Sequence, residues 1–256
     1  MSGSLGNKIR QKEAELSKLR KQEEIEFQQA EEGEDMDLQN QEDLGSRRKS
    51  VTPRGRSKTD DLVSVLERAS GKRLLICIKG YPDPDNIATS LALSHMTAQF
   101  DIQSTIVHFE RISHHENRAL VKKLDLDIEE YSEQFDYTSY DFYAINDSQN
   151  TELPIKLPES CKLLVFIDHH KRLGTITGEF VDIRESVGST SAIYGEYLQD
   201  KRFNFNGDTP EHSKIATALM HGIRSDTDNF VNATPQDYMA SEFFTKYVDK
   251  DLLTLI

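Results

Sequence analysis

Residues 60–256 are predicted to form an α/β domain on a mainly parallel sheet flanked by helices, behind a disordered arm over residues 1–59. Two observations predict it. Short, continuously apolar runs, as expected of strands covered on both faces, alternate with segments whose apolar residues recur at helical spacing. Several of those runs also end in a carboxylate, at the strand ends where open parallel sheets place their ligands.

From Lys8 to about Glu32 the chain is rich in Lys, Glu and Gln. Only Ile9, Leu16 and Leu19 keep a heptad register, so the segment reads as a solvated, transient helix rather than a coiled coil. Residues 31–58 read as a linker. They pass from an acidic block through Arg47-Arg48-Lys49-Ser50 to a Pro/Gly/Ser/Arg stretch with too little apolar surface to fold. Order begins near Asp60, where Asp60 or Asp61 is expected to cap a helix carrying Leu62, Val63, Val65 and Leu66 and ended by Gly71. Leu74 to Ile78 is the first strand and Ile87 to Met96 the next helix. Ser104 to Phe109 reads as a strand and Glu116 to Leu124 as a helix. Phe142 to Ile145 and Leu163 to Ile167 are two more strands, and helices follow over Ser191 to Leu198 and Glu211 to His221. A polar turn, Gly222 to Phe230, and an amphipathic segment, Phe243 to Ile256, complete the chain.

Composition narrows the function. At 36% hydrophobic the chain has enough apolar residues for a core once the arm is set aside. No run approaches the roughly 18 to 20 apolar residues of a spanning helix, and the N-terminus lacks a signal-peptide centre, so a cytoplasmic location away from membranes is expected. Cys77 and Cys161 have no partner at metal-finger spacing and read as small buried hydrophobes. Basic and acidic residues nearly balance over residues 1–60, so the net charge of −13 lies almost wholly beyond them. Such a body repels long polyanions, and a phosphate ester would need bound metals or local basic groups to be attracted. A nucleic-acid scaffold working through the near-neutral arm is disfavoured for the same reason.

Three strands end in polar clusters: Tyr81-Pro82-Asp83-Pro84-Asp85-Asn86, Asn146-Asp147-Ser148 and Asp168-His169-His170. Each alone reads as turn and cap chemistry. Together, carboxylates at one sheet edge would repel one another unless cations neutralised them, and Asp with His suits manganese, iron, zinc or magnesium. Asp226, in the polar turn, can cap or ligate. The expectation is that Asp83, Asp85, Asp147, His169 and Asp226 converge in one cleft.

From about Leu74 to the C-terminus these residues resemble the DHH phosphoesterases. That family includes oligoribonucleases, phosphatases of bisphosphorylated nucleotides, exopolyphosphatases and single-strand exonucleases. Asp83-Pro84-Asp85 resembles its first motif, Asp147 its second, Asp168-His169-His170 its third and Asp226 its fourth. Gly188-Ser189-Thr190-Ser191 is similar to a family segment whose amides can face an anion or simply cap a helix. The resemblance implies one metal held by Asp85, Asp147, His169 and Asp226, and another by Asp83 and Asp147. Manganese is the expected ion, with magnesium or cobalt as alternatives. It implies a catalytic Asp168-His169-His170 triplet with water as the nucleophile and His170 orienting the site or contacting substrate phosphate. Lys79, Ser189 and Arg224 are the further expected substrate contacts.

Two departures stand out. Many family members carry a histidine where this chain has Lys79, which has no lone pair for a metal when protonated. One tightly and one loosely held ion are therefore expected, with Lys79 either pairing with Asp83 or standing in for the weak metal. The family's small glycine-rich C-terminal domain is also absent from this chain. His114 and His115 read as a surface helix start, and His95 and His108 as structural. The expected partner is a small phosphorylated substrate or a short single-stranded oligonucleotide, with a homodimer left open. The alternative function is a non-catalytic nucleotide- or metal-binding module on the same fold.

Overall fold

In the computed structural model, which describes residues 57–256, the chain enters helix α1 (Lys58–Arg68) through Ser57. The Ser57 hydroxyl accepts the Asp60 amide at 3.1 Å while the Asp60 carboxylate accepts the Ser57 amide at 3.3 Å. The cap is therefore Ser57, not Asp60 or Asp61, because Asp60 serves as the reciprocal partner one turn in. The expectations for the arm and most of the linker lie outside the described residues.

The following elements are β1 (Arg73–Ile78), α2 (Pro84–Ala98), β2 (Gln103–His108), α3 (His115–Leu124) and β3 (Glu129–Glu130). Next come β4 (Phe142–Asn146), β5 (Lys162–Asp168), β6 (Phe180–Ile183), α4 (Thr190–Leu198), α5 (Pro210–Asp226), α6 (Pro235–Thr245) and α7 (Lys250–Leu255). The strands lie in the order β3-β2-β1-β4-β5-β6, every pair parallel. The chain therefore winds outward from β1 to one edge, returns to β4 and winds to the other. The loops leaving β1 and β4 diverge at this switch, opening a crevice at the carboxyl ends of the strands.

Alternation along β1 builds two cores. Leu74, Ile76 and Ile78 join the cluster that includes buried residues of α1 to α6, while Leu75 and Cys77 face the other way. That second face is closed by aromatic and aliphatic side chains of irregular segments, among them Phe135, Tyr140 and Leu157. Both cysteines are buried and free, as their sequence setting implied.

Two strands escaped the sequence reading. β3 has only two residues, and the apolar run of β6 is interrupted by Asp182. Asp182 is nevertheless buried, because Tyr197 and Arg184 supply its hydrogen bonds. A second correction concerns α5, which does not stop at His221 but continues through Gly222 to Asp226. Gly222 permits close packing here rather than a turn. Among the described residues no helix is long and apolar enough to cross a membrane.

Candidate metal centre

Asp85 lies in the first turn of α2, following the Asp83 cap and Pro84, and is fully buried. Its two oxygens are occupied from outside its own helix. The Thr190 amide donates to Oδ2 at 2.7 Å and the Ser191 amide to Oδ1 at 2.9 Å, both from the start of α4. Two amides of the Gly188–Ser191 segment, those of Thr190 and Ser191, thus do face an anion, and it is a carboxylate of the chain itself.

Asp147 follows β4 with a left-handed backbone, φ +50°, a conformation Asp and Asn adopt more readily than other side chains. Its amide donates to the Ile167 carbonyl at 2.9 Å, which ties it to β5, and its Oδ1 accepts the Thr190 hydroxyl at 2.9 Å. His169 and His170 leave the end of β5. His169 Nε2 sits 3.5 Å from Asp147 Oδ1 and 3.1 Å from Asp226 Oδ2. Donor atoms of Asp85, Asp147, His169 and Asp226 all lie within 4.8 Å of one another.

This donor set fits a divalent cation. His169 Nδ1 lies 3.2 Å from the Val187 carbonyl, so in the neutral ring it holds the proton and Nε2 keeps the lone pair. Nε2 is buried and makes no hydrogen bond despite the adjacent carboxylates. Asp226 is the last residue of α5, where a negative charge opposes the helix dipole unless a cation offsets it. The electrostatics agree. Burial and the Asp226 charge push the Asp85 carboxyl up to about 8, against the opposing His169 and Ser191 contacts. Burial, then Asp85, Asp83 and Asp226, raise Asp147 well above the usual carboxylate range. Burial disfavours the charged His169 ring, but Asp226 and Asp85 outweigh it and bring the group to about 9.

The other expected residues fall differently. Asp83 belongs to no group of three or more donors among the described residues, and its Oδ1 accepts the Asn86 amide at 2.9 Å as the cap of α2. Lys79 bonds Asn150 rather than pairing with Asp83. Asp168 is fully buried and reaches His170 Nδ1 at 2.8 Å, so it orients that ring and cannot touch a substrate. Ser189 is likewise fully buried, its hydroxyl donating to Asp237 and accepting from Ala192, which corrects the expectation of a substrate contact. Arg224 is half-buried beside Asn229. His114 and His115 are exposed at the start of α3. His95 bonds the Phe203 carbonyl and His108 the Glu110 carbonyl, both structural roles.

Sequence reasoning missed the Thr190 hydroxyl, the Val187 carbonyl and the close approach that Gly222 allows. A Cβ at Gly222 would lie 2.5 Å from Ser191 Oγ and 2.8 Å from Asp85 Oδ1, so α5 reaches the centre only because the position is bare. Gly222→Ala is expected to cost about 2 kcal/mol by overpacking and to lower the melting temperature by about 5 °C. An unchanged calorimetric transition would show that α5 can withdraw freely.

Fold and site together define an α/β protein with an acidic and histidine cluster at the topological switch of its sheet. No protein-family profile matches the chain. It is 32% identical over 210 residues to the uncharacterized protein MJ1633 of Methanocaldococcus jannaschii, covering 81% of this chain and 41% of the relative. The chain thus spans about two-fifths of the length of that relative. An exopolyphosphatase-related protein of Bacteroides fragilis superposes with a TM-score of 0.58 at 19% identity, over 80% of this chain and 61% of the other. A protein described as a family II inorganic pyrophosphatase of Methanococcus jannaschii superposes at 0.52 with 21% identity, over 68% and 56%. These likenesses establish the fold alone, a parallel α/β sheet flanked by helices.

Proposed function

We propose that the chain hydrolyses a phosphoanhydride or phosphoester bond in a small nucleotide, short oligonucleotide or related phosphate compound, in the presence of manganese, magnesium or cobalt. The observation that carries this reading is the buried, unbonded His169 Nε2 facing the carboxylates of Asp147 and Asp226. Asp85, Asp147, His169 and Asp226 would hold the ion. Such an ion offsets charge on phosphoryl oxygens and makes water a competent nucleophile near neutral pH. His170, with a third of its side chain exposed, is fixed through Nδ1 to Asp168, which leaves Nε2 to pass a proton to or from a substrate oxygen. Lys79 and Arg224 are the cationic groups proposed to meet substrate phosphates, which an otherwise acidic body requires.

The second reading, a non-catalytic nucleotide- or metal-binding module, draws on the arrangement of Asp83 and Lys79, which form no second donor group. Phosphate release separates the two readings. The chelated chain, reloaded with manganese, should hydrolyse at least one of inorganic pyrophosphate, a bisphosphorylated nucleotide or a dinucleotide, and chelation should abolish that activity. Tight manganese binding with no turnover on any of the three would favour the binding module.

A further inference from the structure

We propose that Asp237 of α6 is a positioning residue for the metal centre, acting through residues 187–191. The proposal rests on the reading that Asp85, Asp147, His169 and Asp226 hold a divalent cation.

Asp237 is fully buried and belongs to no group of candidate metal donors among the described residues. Its carboxylate receives four hydrogen bonds. Two come from its own helix start, the Thr234 amide at 2.8 Å and the Thr234 hydroxyl at 2.6 Å, both to Oδ2. The Thr234 amide bond is the Asp237 half of a capping box, and both ties stay within the start of α6. The other two reach back to a distant part of the chain: the Gly188 amide donates to Oδ2 at 3.0 Å and the Ser189 hydroxyl to Oδ1 at 2.9 Å. Gly188 is bare at this contact. A Cβ there would lie 2.4 Å from Asp237 Oδ2 and 2.9 Å from Thr227 Cγ2, so any side chain would drive the carboxylate off the amide.

The segment so held touches three of the four expected ligands. The Val187 carbonyl lies 3.2 Å from His169 Nδ1. The Thr190 and Ser191 amides hold Asp85, and the Thr190 hydroxyl holds Asp147. The fourth, Asp226, ends the helix whose Gly222 packs on Ser191. Residues 187–189 precede the helical hydrogen bonding of α4, with Ser189 extended at φ −153°, and the Val187 amide is tied to the Arg184 carbonyl at 3.0 Å. With Asp237 removed, a glycine-containing stretch would lose its external clamp. The mutual repulsion of Asp85 and Asp147 could then displace the amides and hydroxyl that aim them.

Partners of this kind, one bond removed from the ligands, typically govern metal affinity by about 10–100-fold. The test is manganese titration of the chelated full chain at 25 °C, by calorimetry and by competition with a chelating dye. Asp237→Asn keeps the side-chain shape but turns an NH2 or a weaker acceptor toward the Gly188 and Thr234 donors. Its Kd should rise about 10–100-fold while far-UV circular dichroism stays native. The electron paramagnetic resonance signal of bound manganese should also broaden, a change that loss of stability alone does not produce. Ser241→Ala is the control. It removes the bond from the Ser241 hydroxyl to the Asp237 carbonyl, 2.8 Å, within α6 and away from residues 187–191, and should bind manganese as the unmodified chain does.

If the Asn variant does not fold, Ser189→Ala removes a single tie between the segment and Asp237 and should weaken binding several-fold. Failure of the unmodified chain to bind manganese would sink the metal reading itself. Binding by the unmodified chain with a Kd for Asp237→Asn, or for Ser189→Ala in its place, within twofold would overturn the positioning role. Equal weakening by Asp237→Asn and Ser241→Ala would also overturn it, since general loosening of α6 would then explain the effect.

Discussion

Asp147→Asn is expected to lower turnover by about 10³-fold and to remove tight manganese binding, yet to make the metal-free protein more stable than the unmodified chain. The two effects share one cause. Asp147 is buried beside Asp85, with further repulsion from Asp83 and Asp226, and its carboxyl is held well above the usual carboxylate range. Loss of one charge relieves that repulsion when no cation is present, and the same loss weakens the cation's hold when one is. A drop of several kcal/mol in transition-state stabilisation corresponds to about three orders of magnitude in rate. Asn is the informative replacement because the backbone at 147 is left-handed, φ +50°, a conformation Asn accepts and Ala resists. Calorimetry in EDTA should show a melting temperature a few degrees above that of the unmodified protein. A lower one would mean that the Thr190 hydrogen bond to Asp147 outweighs the repulsion.

In EDTA the melting temperature should fall by about 5 °C between pH 6 and pH 8.5, and anaerobic, saturating manganese should flatten or reverse the trend. The folded carboxyl of Asp85 titrates at about 8 against an ordinary 3.8, and folded His169 at about 9 against 6.5. Both values are raised, so the folded chain binds more protons than the unfolded chain across this window, and stability is lost as pH rises through it. For His169 the stabilisation is complete below about pH 6.5 and gone above about pH 9. For Asp85 the penalty accumulates from about pH 4 to about pH 8. On the proposed function, manganese would compete with protons for the same oxygens and for His169 Nε2, and its affinity would climb as those protons leave. A metal-free melting temperature that rose toward pH 8.5 would mean that these groups are ionised in the fold at little cost.

By itself the amino-acid sequence determined the parallel α/β class and most of its elements, because period-2 and period-3.6 apolar patterns are local and survive in one dimension. It also marked Asp85, Asp147 and His169, since donors placed just after apolar strand runs fall at strand ends whatever the details of packing. Asp226 was marked by its polar segment and by the family resemblance. The family resemblance implied that these four meet, but the local pattern could not say why, and tertiary structure decided how each donor is held. Asp83 and Asp85 are two residues apart and chemically identical in sequence, but one caps α2 while the other points into the amides of α4. The same is true of Ser189 and Thr190, where one hydroxyl is drawn to Asp237 and the next to Asp147. Gly222 read as the start of a turn because glycine favours turns, and its actual use, a close approach of α5 to Asp85, depends on a neighbour 137 residues earlier in the chain. Asp182 hid β6 for the same reason. A buried carboxylate is tolerable only when partners such as Tyr197 and Arg184 arrive in space, and the energy of that arrival is not written in the local pattern.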